Sequence, residues 1–244
     1  MTVSLLRRDG PVLRIGHRGA AAHAPANTIA AVEAALALGV DMVELDVLGR
    51  PDRTVVLGHS HSELGSEPAT LDEAFSFLAE RGPETALLAD IKGGGHEREL
   101  VESLRRHGLV GRTVVATNSL RTLDALRRLE PGLARSRTYP PGRLYVGRRR
   151  TPVPVVGPVR LGLRLLLPSR IGGLVGEAHA SAATIDHRLL TRSVVERCHS
   201  LGVAVLAWTV NDSAALRKLD GIGVDGVITD DPRIFGVSRA TLQS

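Results

Sequence analysis

Two carboxylates, Glu44 and Asp46, stand two residues apart in the apolar run Met42-Val43-Glu44-Leu45-Asp46-Val47. On a strand that spacing points both side chains to one face. Side by side in an apolar setting they repel, and a divalent cation removes that cost. Asp90, at the end of a later apolar run, offers a third oxygen. Three carboxylates without a cysteine suit a hard cation, Mg²⁺ or Ca²⁺, better than zinc. The same pair also fits a salt-bridged rim at a strand end. His17 and His59 are the candidates for general acid and base, since imidazole titrates near neutral pH. Most histidines in proteins of this kind serve instead as surface or capping groups, and the chain has nine. Arg18 and Lys92 suit an anionic substrate, the first as a planar fork and the second as a point charge. Either also suits simple neutralisation of the neighbouring acids. Trp208 is the only tryptophan. It either walls a substrate site or plugs the core.

These residues need a frame that brings them together. Apolar, β-branched runs are expected as strands at 12–16, 42–47, 87–91, 113–117, 133–137, 182–185, 203–208 and 226–229, with a short extended stretch at 54–57. Helical patterns fall between most of them, at 27–38, 70–81, 97–107, 119–129, 191–201 and 212–219. Asn27-Thr28 opens the first with N-capping chemistry, and Thr70-Leu71-Asp72-Glu73 opens the second like a capping box. Short buried strands alternating with helices imply a parallel sheet. Eight of them in 244 residues fit a (β/α)8 barrel. An open doubly wound sheet usually carries a G-x-G-x-x-G loop after its first strand, and here His17-Arg18-Gly19 stands there. In a barrel, His17, the Glu44–Asp46 pair, His59, Asp90, Lys92, Asn118-Ser119, Trp208-Thr209 and Thr229-Asp230 all reach the C-terminal mouth, where catalytic groups are found.

Composition removes several classes. Aromatic residues are 2% of the chain, too few for base-stacking nucleic-acid platforms. One cysteine, Cys198, excludes a disulfide framework within the chain. No apolar run is long enough to span a bilayer, and the N-terminus lacks a signal-length apolar stretch, so the expected compartment is the cytoplasm. Net charge is +5, unevenly spread: between Glu130 and Glu177 there are nine Arg and no acid. The segment 138–176 also holds six of the 13 prolines and the stretch Val159-Arg160-Leu161-Gly162-Leu163-Arg164-Leu165-Leu166-Leu167. It is read as a long basic Pro/Leu-rich insertion after the fifth strand. One role is peripheral contact with an anionic membrane, at the inner face of the cell membrane. The other is a folded helix whose leucines pack on the barrel while its arginines are solvated.

Taken in order, several segments resemble the glycerophosphodiester phosphodiesterase family. They are His17-Arg18-Gly19, Pro25-Ala26-Asn27-Thr28, the run from Gly39 to Val47, His59, Asp90-Ile91-Lys92, Trp208-Thr209-Val210-Asn211 and the run from Gly223 to Pro232. The resemblance spans nearly the whole chain and implies a single-domain TIM barrel over 1–244 that hydrolyses phosphodiesters with one divalent cation. It implies acid/base roles for His17 and His59, metal binding by Glu44, Asp46 and Asp90, and phosphate contact by Arg18 and Lys92. Four features depart from the family pattern. Ala26 replaces a glutamate, Ser60 replaces an aspartate after His59, and Asp90 stands where glutamate is usual. Only 60–69 separates His59 from the next helix, where the family inserts a small subdomain, so a more open mouth is expected. Asp90 at that position is similar to sphingomyelinase D-like phospholipases. The expected substrate is a small glycerophosphodiester or a lysolipid, with no nucleic-acid partner. The alternatives are a lysophospholipase D-type enzyme on membrane lysolipid and a catalytically weak lipid- or phosphate-binding barrel.

Overall fold

The computed structural model describes residues 4–7, 10–141 and 153–236. In chain order its elements are β1 (Leu13–Gly16), α1 (Ile29–Ala37), β2 (Met42–Gly49), β3 (Val55–Leu57), α2 (Leu71–Arg81), β4 (Ala86–Lys92), α3 (Glu97–Arg106), β5 (Thr113–Thr117), α4 (Leu120–Leu129), β6 (Ala134–Tyr139), α5 (Val153–Glu177), β7 (Ala182–Asp186), α6 (Arg192–His199), β8 (Ala204–Trp208), α7 (Ser213–Gly221) and β9 (Gly226–Thr229). Eight parallel strands run in the order β1-β9-β8-β7-β6-β5-β4-β2, and the β1–β2 pairing closes the ring. This is the (β/α)8 barrel expected from the sequence. β3 lies outside the ring, antiparallel on the far end of β2.

Alternation along each strand builds two cores. Met42, Leu88, Val114, Leu206 and Ile228 point inward and fill the barrel interior. Val43, Leu45 and Val47 point outward and pack with Val32, Phe75 and Leu100 of the surrounding helices. A second outer cluster joins β7 and β8 to α5 and α6 through Val205, Leu167, Ile171 and Val195. Both faces of the sheet are dry, which is why the strands read as continuous apolar runs.

Helix starts follow side-chain capping. Thr70 accepts a hydrogen bond from the Glu73 amide at 3.3 Å, and Glu73 accepts one from the Thr70 amide at 2.7 Å, completing the box. Thr70→Ala is expected to cost about 1 kcal/mol and to lower the melting midpoint by roughly 2–4 °C, read by thermal circular dichroism. α1 differs from expectation. Its cap is Thr28, which accepts from the Ala31 amide, and Asn27 lies outside the helix with φ 60°.

The basic segment also resolves into identifiable parts. Its first residues end β6, and from 153 to 177 the chain is one helix, α5, in the place of the barrel helix after the fifth ring strand. Periodicity did not single this helix out because Pro158 and Pro168 lie inside it. Its buried stripe holds it to the barrel in spite of the amide hydrogen bonds those prolines cannot make. Arg143, Arg148, Arg149 and Arg150 fall outside the described residues. Among the described residues, no helix is long and apolar enough to cross a membrane.

Candidate active site

The inward rows of β2 and β4 end in charge. Glu44 and Asp46 continue the row begun by Met42, while Asp90 and Lys92 continue the row of Leu88, and Asp46 pairs in register with Asp90. One carboxylate oxygen from each of Glu44, Asp46 and Asp90 lies within 4.8 Å of the other two. Glu44 and Asp46 are buried, at 3% and 1% exposure. Burial raises the pKa of both Glu44 and Asp90, and the charge of Asp46 adds to the effect. Asp46 behaves oppositely. Burial opposes its charge, but His59, Lys92 and Arg18 outweigh that and hold it well below the usual carboxylate range. Lys92 Nζ stands 2.8 Å from Asp46 and 2.5 Å from Asp90, and Arg18 Nε is 2.9 Å from Asp46. Lys92 is shared between Asp46 and Asp90, and burial still disfavours the charges of Glu44 and Asp90. A hard divalent cation fits this all-oxygen set, because it would stabilise both ionised forms.

A strained turn between β1 and α1 places the next layer. Arg18 has φ 51°, Gly19 φ 87° and Asn27 φ 60°, all in the left-handed region. A Cβ at Gly19 would sit 2.4 Å from the Ala31 backbone carbon, so only glycine fits. The Arg18 amide donates to Glu44 Oε2 at 2.8 Å. Asn27 grips Asp46 twice: its Nδ2 donates to Asp46 Oδ2 at 3.0 Å, and its Oδ1 accepts from the Asp46 amide at 3.0 Å.

The two histidines meet different carboxylates of the cluster. His17 Nδ1 is 2.6 Å from Asp230 Oδ1, and its Nε2 is 3.9 Å from Glu44 Oε2. Burial disfavours the imidazolium, but the Glu44 charge and the Asp230 hydrogen bond outweigh it and raise His17 above its ordinary value. Asn211 in turn donates to Asp230 at 2.5 Å. His59 Nδ1 lies between Arg18 Nη2 at 3.1 Å and Asp46 Oδ2 at 3.4 Å. An arginine only donates, so in the Arg18 contact the ring nitrogen is the acceptor.

His17, Arg18, Glu44, His59, Asp90, Lys92 and Trp208 line one cavity of about 1080 Å³, and Asp46 lies beneath it. The cavity continues past Gly93–Gly95 to Asn118, Ser119 and Arg121 at the start of α4. A smaller cavity of about 190 Å³ lies beside His59 and is lined by Ala26, one of the departures from the family pattern, with Glu63 and Glu67 in its wall. Asn27, Asp230 and Asn211 all lie in segments that carry the family resemblance, and Asp230 stands at the mouth as expected, but their positioning roles emerge only in the structure. Asn27 was read as capping chemistry. Asp230 was legible from parity, standing two residues after the inward Ile228 at a strand end. Asn211 closes the Trp208-Thr209-Val210-Asn211 segment, and it meets Asp230 from a different loop.

The conserved pattern of the glycerophosphoryl diester phosphodiesterase family matches residues 17–76 and 67–234. The chain belongs to this family. It is a family of phosphoric diester hydrolases, and this member is a (β/α)8 barrel. The Bacillus subtilis protein YhdW is 28% identical over 250 residues, covering 89% of this phosphodiesterase-family chain and 94% of YhdW. The human lysophospholipase D GDPD3 is 24% identical over 267 residues, covering 90% of this chain and 83% of the relative. An Oleispira antarctica phosphodiesterase, solved in complex with the product sn-glycerol-3-phosphate, shares the fold with a TM-score of 0.73. It is 22% identical over 96% of this chain and 97% of that one.

Proposed function

We propose that this family member hydrolyses a glycerophosphodiester to an alcohol and glycerol phosphate. The observation that carries the reading is the meeting of three lumen carboxylates with two imidazoles, an arginine and a lysine on one cavity. Glu44, Asp46 and Asp90 would hold a divalent cation, Mg²⁺ or Ca²⁺. When bound, it supplies Lewis-acid stabilisation of the charge that builds on the phosphoryl oxygens. Arg18 and Lys92 bind the non-ester oxygens, and Trp208 walls the substrate.

His17 and His59 move the protons. One takes the proton of the attacking hydroxyl as its oxygen bonds to phosphorus. The other gives a proton to the alkoxide as the phosphorus–alcohol bond breaks. The attacking group is water, or a free hydroxyl on the glycerol next to the phosphate. In the second case a cyclic phosphate forms first and water then opens it, and the first step gains from proximity. Asp230 and Asn211 keep His17 turned toward Glu44, and Asn27 keeps Asp46 in place. The reading takes 1–244 as one catalytic unit, with 138–176 as an elaboration of it.

Release of the head-group alcohol from a glycerophosphodiester, measured before and after chelation, tests this reading. Treatment with EDTA should remove activity, and Mg²⁺ or Ca²⁺ should restore it. Full turnover after exhaustive chelation would overturn the metal role. Phosphate-ester binding with no turnover under any cation would favour a binding barrel. A second reading, a lysophospholipase D-type activity on lysolipid, is favoured by the human relative and by the short 60–69 loop. The same assay on lysolipid micelles beside a water-soluble glycerophosphodiester separates the two.

A further inference from the structure

We propose that the N-terminal half of α5 is an interfacial element that docks the mouth of the barrel on an anionic phospholipid bilayer. α5 has 25 residues, about 37 Å at 1.5 Å per residue, whereas no other described helix exceeds the 11 of α2. Leu167, Ile171 and Val175 form its buried stripe against the barrel. From 157 to 166 no residue is buried. Barrel helices run opposite to their strands, and α5 leads into the start of β7 at the closed end. Its first half therefore lies on the side of the mouth, where Pro140, just after β6, lines the catalytic cavity.

That half presents a surface at odds with water. Leu161 and Leu165 are one turn apart, on a side of the helix other than the buried stripe, with Leu165 about 160° around from Leu167. They are 57% and 70% exposed. Val159 and Leu166 are exposed beside them. Further down the same side the outward residues are Ser169 and Gly173. The apolar side is thus confined to the part of α5 where no residue is fully buried and Leu163 is partly buried against the outer core. A helix facing water carries polar residues there. Arg160 and Arg164, one turn apart and half-buried, flank the leucines, and Arg170 follows.

Charge decides the occupant. The chain carries nine Arg and no acid between Glu130 and Glu177. A second copy of this chain would bring two such positive segments together and repel. An anionic bilayer offers both complements, phosphates for the arginines and an acyl boundary for the leucines. No described helix crosses a membrane, so α5 lies on the surface rather than spanning it. The active-site mouth then faces lipid.

Vesicle sedimentation of the full chain tests this without using turnover, so it stands or falls separately from the hydrolase reading. The wild type should pellet with vesicles containing about one-third phosphatidylglycerol at low salt, not with pure phosphatidylcholine, and binding should fall as salt rises. Leu161→Asp combined with Leu165→Asp should lower partitioning about tenfold or more, with the melting curve and soluble-substrate activity unchanged. Arg160→Gln with Arg164→Gln should weaken binding and flatten its salt dependence. Absence of binding to anionic vesicles at low salt would overturn the proposal, as would wild-type binding by the leucine variant. So would a dimer that the leucine variant abolishes while vesicle binding is absent.

Discussion

Asp46→Asn is expected to lower turnover by about 10³-fold and to weaken Mg²⁺ or Ca²⁺ binding, while the barrel remains folded. Loss of a stabilisation worth several kcal/mol at the reacting phosphoryl group corresponds to that factor, at about 1.4 kcal/mol per decade. Asp46 is the residue of the triad on which most other groups converge. Arg18, Lys92, His59 and Asn27 all contact its carboxylate. Asparagine keeps the shape but removes the charge and turns one acceptor into a donor. That donor faces groups that themselves donate. The backbone hold of Asn27 Oδ1 on the residue 46 amide survives, as does the β2–β4 ladder. Calorimetric metal titration reads the affinity, steady-state kinetics the turnover, and circular dichroism the fold. Turnover within tenfold of wild type in a folded Asp46→Asn would sink the assignment of this carboxylate.

His17→Ala and His59→Ala should each slow the reaction by roughly 10²–10⁴, the usual worth of general acid–base catalysis. The double variant should lose far less than the product of the two, because groups acting in one proton relay are not additive. Asp230→Asn tests the positioning of His17 separately. The His17–Asp230 hydrogen bond holds Asp230 below the usual carboxylate range despite partial burial. Without that charge the imidazolium loses support and the ring loses its fixed orientation. The variant is expected to lower kcat by about 10²-fold with little change in KM, and to shift the pH profile of kcat, which a merely structural role would not do. Activity near wild type in His59→Ala would instead mark a site rewired around Ser60.

Much of this molecule is legible in the order of its residues. The period-two alternation in Met42-Val43-Glu44-Leu45-Asp46-Val47 sets which side chains face the lumen, and parity alone puts Glu44 and Asp46 on one side. The ring of eight parallel strands follows from buried runs alternating with capped helices, both local properties. The cap of α2 is local too, and its Thr70–Glu73 box formed where the sequence places it.

What the chain order alone leaves open depends on contacts between distant segments. Asn27 reads as a helix cap until β2 arrives, and then its amide binds Asp46, 19 residues on. Asp230 and Asn211 become the support of His17 only when ring closure brings β9 beside β1, a pairing across more than 200 residues. α5 defied its own periodicity, because prolines and glycines weaken the local signal while burial of Leu167, Ile171 and Val175 against β7 and α6 stabilises the helix. Local spacing determines which groups share a face. Only closure of the barrel decides which of them meet, because the burial and pairing energies that select those contacts exist only once the strands are in register.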